Sequence, residues 1–106
     1  MDETIKQGLS NLWKGKEAVG GKLFLTKQHL THQPHKANIK KEKVVIKLSH
    51  IKNIEFYTNK VFGVPLMKNG LKVILNSNEI YFFVVNKREE WKEAIDHLLS
   101  EQVEMM

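Results

Sequence analysis

The strongest constraint in this sequence is a change of hydrophobic period near residue 86. Between residues 20 and 86, apolar side chains alternate with polar ones in short runs that turn residues separate, which is typical of antiparallel strands. After residue 90, apolar side chains recur every three or four positions, which is the spacing of one helix face. The pattern therefore predicts a mainly β fold, a small barrel or sandwich, that ends in one α-helix.

Turn residues divide the first part of the chain into strands. We expect turns near Thr26, at Asn69 and Gly70, and at 76–78. Residues 57–67 are rich in apolar side chains and are predicted to form a loop, or else to fold back as core or a short extra strand. The predicted strands are 22–26, 28–33, 44–48, 51–57, 71–75 and 80–85.

The first fifteen residues leave two alternatives open. Ile5, Leu9, Leu12 and Trp13 have helical spacing, but glycines in this stretch weaken a helix. Ile5, Leu9 and Trp13 also fall on one face of a strand. The local sequence does not choose between the two.

The final segment has the features of an amphipathic helix at about residues 87–103. Asn86 occupies the expected N-cap position, and Glu89 completes a capping-box pattern three residues later. We expect Trp91 to lead the apolar stripe and to close one open end of the barrel. The stripe consists of Trp91, Ala94, Ile95, Leu98 and Leu99.

The length of the chain supports one domain. Its 106 residues leave no room for a second core, so we expect a single domain over residues 1–106, with strands within about 4–85. The longest apolar run is far shorter than the roughly 20 residues of a membrane-spanning helix. The first residues lack the basic and apolar regions of a signal peptide, which favours a cytoplasmic protein.

Charge is distributed unevenly along the chain. Seventeen basic and twelve acidic residues give a net charge of +5, and Arg88 is the only arginine. Residues 87–104 hold three basic and six acidic residues, so this segment carries −3 and the rest of the chain +8. A positive body with a negative tail can orient a protein at an anionic surface. The alternative is an ordinary solvated face that lysine keeps soluble.

The chain lacks the residues of several kinds of chemistry. It has no cysteine, which excludes disulfides, thiolate catalysis and cysteine zinc sites. The glycine- and lysine-containing stretch 15–22 is not a phosphate loop, because Leu23 stands where a serine or threonine must hold magnesium. No serine lies in a nucleophile elbow, and one arginine is too few for sequence-specific nucleic-acid binding. We therefore expect neither an enzyme nor a cofactor.

The histidines do not form a metal-binding pattern. His29, His32 and His35 are evenly spaced, but in a strand His29 and His32 point to opposite sides. With no cysteine and no acidic residue between 18 and 41, we expect no metal site. His32 shares a face with Leu30, so we predict that its imidazole points inward and is neutral.

Several motifs resemble those of a known family. The run Gly20-Gly21-Lys22-Leu23-Phe24-Leu25-Thr26, followed by Leu30, is similar to the second and third strands of GRAM domains, members of the pleckstrin-homology-like (PH-like) superfamily. Residues 45–54 resemble the fourth and fifth strands, 69–73 and 81–83 the last ones, and 90–91 the closing helix. The resemblance covers about residues 5–99 and is to small stand-alone proteins of bacterial type.

The resemblance implies a PH-like barrel. Seven antiparallel strands would form two roughly orthogonal sheets, with the C-terminal helix plugging one end. The first strand would lie at about residues 5–13. Lipid-binding PH domains carry a basic signature across the first two strands; Lys14 and Lys22 match its beginning, but Phe24 stands where the next basic residue belongs.

The resemblance also implies a binding module without catalytic activity. Our first hypothesis is that a lysine-rich surface binds anionic lipid headgroups, which would place the protein in the cytoplasm or at the inner membrane surface. The alternative is a protein- or peptide-interaction module that uses a sheet edge or the groove beside the C-terminal helix. The headgroup candidates, from two loops that lie side by side in this fold, are Lys14, Lys16, Lys36, Lys40, Lys41 and Lys43.

Overall fold

The computed structural model describes residues 3–14, 17–36, 42–61 and 64–104. Within these ranges the chain forms strands followed by one α-helix, with a short 3₁₀ turn, Leu48–His50, between the fourth and fifth strands. The elements are β1 (Lys6–Lys14), β2 (Glu17–Leu25), β3 (His29–Pro34), β4 (Val44–Lys47), β5 (Ile51–Val61), β6 (Val64–Leu75), β7 (Ile80–Val85) and α1 (Arg88–Glu104).

The strands form one curled half-barrel in the order β4-β3-β2-β1-β7-β6-β5. All neighbouring strands are antiparallel, so the predicted seven-stranded antiparallel fold with a C-terminal helix is confirmed. β1 pairs with β2 along its whole length and with β7 over residues 10–13. β1 therefore joins the two parts of the sheet, β2–β4 on one side and β5–β7 on the other, through backbone hydrogen bonds.

The N-terminal segment is a strand, as the family resemblance implied. In β1, Ser10 and Leu12 face the interior and are buried, whereas Leu9 on the opposite face is 63% exposed. The spacing of Ile5, Leu9 and Trp13 thus marks the outer face of a strand. Strand pairing on both sides of β1 decides a question that the local sequence left open.

The helix packs its apolar stripe against the interior of the half-barrel. Trp91 is only 3% exposed, which confirms that it lies in the core. Ile95 and Leu98 of the same stripe join the core residues that the strands contribute. The largest fully buried apolar side chains are Phe83, Leu12, Leu23, Leu25, Leu30, Leu48, Leu71, Ile95, Val73 and Val85.

The predicted N-cap at Asn86 is wrong by one residue. The helix begins at Arg88, and the carbonyl of Lys87 accepts hydrogen bonds from the amides of Glu90 (2.9 Å) and Trp91 (3.3 Å). Lys87 therefore occupies the N-cap position, with a left-handed φ of 55°. Lys87 lies in the two-residue turn between β7 and α1, and the capping motif alone does not predict its conformation.

The turn predicted at Asn69 and Gly70 is also wrong, because Gly70 lies inside β6. It pairs with Tyr57 on one side and Val84 on the other. A Cβ on Gly70 would lie 2.6 Å from Cε1 of Tyr57, so the glycine makes room for a tyrosine ring that crosses the strand. The predicted turn at 76–78 is confirmed, and Asn78 there has a φ of 75°.

Residues 57–61 and 64–67 are not a loop, because they belong to strands β5 and β6. Asn59 pairs with Met67 and Val61 with Val64, with register shifts near Asn59. The predicted short extra strand is not formed here either, because these residues lengthen β5 and β6. Since β7 pairs with β6 only from Gly70 onward, the end of the hairpin continues beyond β7.

Gly21 allows β2 to approach β3 closely. A Cβ on Gly21 would lie 2.2 Å from the carbonyl oxygen of Gln33. Only glycine fits such a contact without displacing β3. β2 itself begins at Glu17, five residues before the predicted start, because β1 pairs with it along its whole length.

Candidate functional site

Two of the lysines predicted to form a surface, Lys14 and Lys36, lie toward the end of the half-barrel where β1 ends and β3 ends. Lys14 is the last residue of β1, Lys36 follows β3, and both are exposed. The amide of His35 donates to the carbonyl of Gly20 at 3.1 Å, which holds the chain before Lys36 against β2. Lys14 and Lys36 therefore occur at one end, which we call the lysine end.

Lys43 lies beside β3 and not at the lysine end. It is exposed and directly precedes β4, whose first residue, Val44, pairs with His32. Lys43 thus flanks β3 one strand away from β2 and does not lie beside Lys14 in the register. Lys16, Lys40 and Lys41 lie outside the described residues.

A carboxylate lies close to the lysine end. Lys14 and Glu17 are directly paired across β1 and β2, so their side chains leave the sheet on the same face. The charge of Lys14 is therefore partly balanced within the protein. Any anion that binds there competes with Glu17, which favours a diffuse attraction over a single tight pocket.

His32 lies in β3, beside Leu23 of β2, and faces inward, as predicted. It is 1% exposed, and its Nε2 lies 3.0 Å from the carbonyl oxygen of Ser10, so Nε2 donates the hydrogen bond. Burial lowers the pKa of His32, and the positive charges of Lys14 and His35 lower it further, while the bond to Ser10 opposes the shift. The buried imidazole is therefore neutral, as the sequence predicted.

The acidic helix lies at the other end of β1. Lys6, at the start of β1, contacts α1: its Nζ is 3.8 Å from Glu90 Oε1 and 5.2 Å from the centre of the Trp91 ring. Eight residue steps of a strand separate Lys6 from Lys14, or about 26 Å. The fold therefore separates the acidic segment from the lysine end along the length of one strand.

A shallow groove of about 470 Å³ runs beside the helix, between α1 and the start of β1. This is the groove that the alternative hypothesis requires. β4 and β5 are the two edges of the sheet, so the edge strands named in the same hypothesis are also present. The groove is lined by Ile5, Lys6, Glu90, Glu93, Ala94 and His97.

Arg88 has a structural role that the sequence analysis missed. Its Nη1 donates to the carbonyl oxygens of Tyr57 (2.8 Å) and Gly70 (3.3 Å), and its guanidinium lies 4.4 Å from the centre of the Phe56 ring. The only arginine thus fastens the first turn of α1 to the hairpin. The one signal in the sequence for this role was that Arg88 is the only arginine. Its hydrogen-bond partners lie 31 and 18 residues away in sequence, so no local pattern points to them.

Among the described residues, no three histidine, aspartate or glutamate side chains come close enough together to hold a metal ion. No helix in the same ranges has the length and apolar character needed to cross a bilayer.

Solved structures support the fold. The C-terminal domain of an unknown protein from Leishmania infantum is 19% identical, with a TM-score of 0.75, and the match covers 92% of this chain and 84% of that one. The Vps36 N-terminal PH domain is 15% identical, with a TM-score of 0.71 and coverage of 96% and 82%. The Slm1 PH domain, solved in complex with phosphoserine, is 19% identical, with a TM-score of 0.62 and coverage of 90% and 91%.

The sequence comparisons assign the family. No curated protein matches the chain. The GRAM domain family matches residues 2–103, which is nearly the whole sequence, and domains of this kind are typically binding modules without catalytic activity. The family match and the PH-like structural neighbours agree with each other, and the chain belongs to the GRAM domain family.

Proposed function

We propose that this protein binds anionic lipid headgroups through its lysine end, as a peripheral module at the inner, cytoplasmic surface of a membrane. The observation that carries the proposal is the separation of charge along β1, with exposed Lys14 and Lys36 at one end and the acidic helix at the other. The remaining members of the proposed surface are Lys16, Lys40, Lys41 and Lys43.

Electrostatic attraction accounts for the affinity that we expect between the lysine surface and an anionic bilayer. A lysine near an anionic bilayer contributes on the order of 1 kcal/mol, so six lysines provide useful affinity together although each is weak alone. The acidic residues of α1 are repelled by the same bilayer, so the protein orients with its lysine end toward the headgroups. Screening over roughly 8–10 Å at physiological salt makes the binding sensitive to ionic strength.

The ligand class follows from charge rather than from a shaped pocket. Phe24 occupies the position of a basic residue in the lipid-binding signature, and Glu17 lies opposite Lys14. Both features argue against recognition of one particular phosphoinositide. The structural neighbour that was solved with phosphoserine, an anionic group, supports an anionic ligand at this fold.

Vesicle sedimentation tests the proposal. We expect the wild-type protein to sediment with acidic vesicles at low salt, to be released as salt rises, and to ignore neutral vesicles. Replacing Lys40, Lys41 and Lys43 with glutamate should abolish sedimentation while the fold remains intact. The matched control carries the same charge change at three exposed lysines that are not among the six of the proposed surface, as K27E/K47E/K52E.

Two results would contradict the proposal. Wild-type protein that stays in the supernatant with acidic vesicles at low salt has no affinity for the surface. Equal loss of binding in both triple variants would show that net charge, and not the lysine end, drives the association.

A protein-binding role remains the second candidate, and one observation favours it. The groove between β1 and α1 combines two apolar side chains with polar and charged ones of both signs, and membrane binding through the lysine end would leave it facing away from the bilayer.

A further inference from the structure

An apolar patch lies on the outer face of the sheet. Ile80 and Phe82 of β7 share one face, and Phe83 on the opposite face is fully buried in the core, so the first two face outward. Ile74 of β6 pairs with Ile80 and therefore lies on the same face. Trp13 of β1 pairs with Phe82 and extends this face to a third strand. We call these four side chains the outer apolar patch: Trp13, Ile74, Ile80 and Phe82.

The outer apolar patch is accessible to solvent. Ile80 is 42% exposed, and the other three members are half-buried. Nε1, the only polar atom in the side chain of Trp13, is buried, so any part of that side chain that reaches solvent is apolar. Lys72 lies on the same face and forms an ion pair with Glu55 at 3.8 Å, so the two charges balance each other. Because the outer face of an antiparallel sheet is usually polar where it meets water, this patch indicates a contact surface.

The patch adjoins one of the lysines of the proposed membrane surface. Trp13 and Phe82 are the pair at the end of the β1–β7 ladder, and Lys14 follows Trp13. Lys14 therefore lies level with Tyr81, next to Ile80, and it is exposed. Exposed apolar side chains, a tryptophan among them, beside a lysine are typical of a protein surface that lies at a bilayer interface, where the cation meets phosphates and the apolar groups enter the headgroup region.

We propose that the outer apolar patch enters the headgroup region of the anionic membrane that the lysine end attracts, with Ile80 and Trp13 as its anchors. The inference rests on the proposed function and adds to it a contact that salt does not screen. The charge of Lys14 decides the occupant, because a molecule drawn to a bilayer through this lysine brings the adjoining patch to the same surface. The apolar area is too small to hold the protein on a neutral membrane by itself, so acidic lipid is still required.

Vesicle sedimentation over a series of salt concentrations tests the apolar contact. The vesicles consist of phosphatidylglycerol and phosphatidylcholine. Ile80→Ser should bind them roughly fivefold to tenfold less tightly than the wild type and should be released at lower salt, because it loses the apolar area that enters the interface. Ile5→Ser is the matched control: it makes the same change at an isoleucine that is 48% exposed beside α1, and it should bind like the wild type.

Tryptophan fluorescence tests the same contact without removing it. Vesicles of the same composition with bromine on the acyl chains should quench the wild-type protein more than unbrominated vesicles do. Trp13→Phe should lose this quenching, because the remaining Trp91 is 3% exposed and is enclosed by the core.

Glu79 offers a test in the opposite direction. It is exposed and directly precedes Ile80, so it meets the same negative surface when the patch is in place. Glu79→Gln should therefore bind acidic vesicles roughly fivefold more tightly. Glu93→Gln makes the same change on the exposed face of α1 and should leave binding unchanged at physiological salt, where screening acts over roughly 8–10 Å.

The outcomes separate this inference from the membrane proposal. Wild-type protein that sediments with acidic vesicles, but shows no quenching and binds as tightly as Ile80→Ser, would overturn the inference and leave the membrane proposal intact. The patch would then be left for a protein partner. Wild-type protein that does not sediment even at low salt would overturn both.

Discussion

At the scale of single residues, His32 couples stability to pH. Its Nε2 donates to Ser10, and its Nδ1 has no hydrogen-bond partner among the described residues. A proton on Nδ1 would place an unpaired buried charge near Lys14 and His35, which is why burial lowers the pKa of His32 below 6.5. In the unfolded chain the imidazole of His32 is not buried, so it is protonated at a higher pH than in the folded protein.

We therefore expect the free energy of unfolding to decrease as pH falls below about 6.5, because the unfolded state then binds more protons than the folded state. The decrease stops once pH passes the lowered pKa of the folded state. Urea denaturation at a series of pH values measures the effect. His32→Gln should flatten this dependence, while the exposed control His35→Gln should retain it. An NMR titration that gives His32 a raised pKa would contradict the prediction.

Arg88 is the second residue whose contribution is measurable. Its side chain is 15% exposed, and its guanidinium donates to two carbonyls, at 2.8 and 3.3 Å. A bond from a charged donor contributes about 1.5–3 kcal/mol, and the longer bond to Gly70 contributes less than the one to Tyr57. Arg88→Met should therefore lower the free energy of unfolding by roughly 2–4 kcal/mol. Lys87→Met, at the exposed neighbour, is the control. A variant within about 0.5 kcal/mol of wild type, the usual range for surface substitutions, would show that the two bonds contribute no net stability.

At the scale of elements, Trp91 holds the helix on the half-barrel. Its ring packs close to Gly8, where a Cβ would lie 3.6 Å from Cζ2, and Lys6 lies over its face. Trp91→Ala should cost roughly 3–5 kcal/mol, the range for emptying a large buried aromatic site. Lys92→Ala, one position along the helix, should change stability little. An unchanged midpoint and slope of denaturation for Trp91→Ala would contradict the packing.

At the scale of the whole molecule, charge is separated along β1. Lys14 and Lys36 lie at one end and the acidic helix at the other, so a molecule that binds a membrane through its lysines presents the groove beside α1 to the solvent.

The amino-acid sequence alone determined the strand and helix pattern, the inward face of His32 and the burial of Trp91. These features depend on local periodicity, because side chains alternate along a strand and recur every three to four residues on a helix. The family motifs added the first strand, which the local pattern left ambiguous between Ile5 and Trp13.

Only the tertiary structure decided the length of the β5–β6 hairpin, the position of Gly70 inside a strand and the start of α1 after Lys87. Tertiary contacts likewise decided which backbone carbonyls accept hydrogen bonds from Arg88. It also decided that Lys43 lies apart from Lys14 and that a groove opens beside α1. The physical reason is the same in each case. These features depend on contacts between residues far apart in sequence, such as Arg88 with Tyr57 at a separation of 31, and no local pattern encodes which distant backbone a side chain will meet.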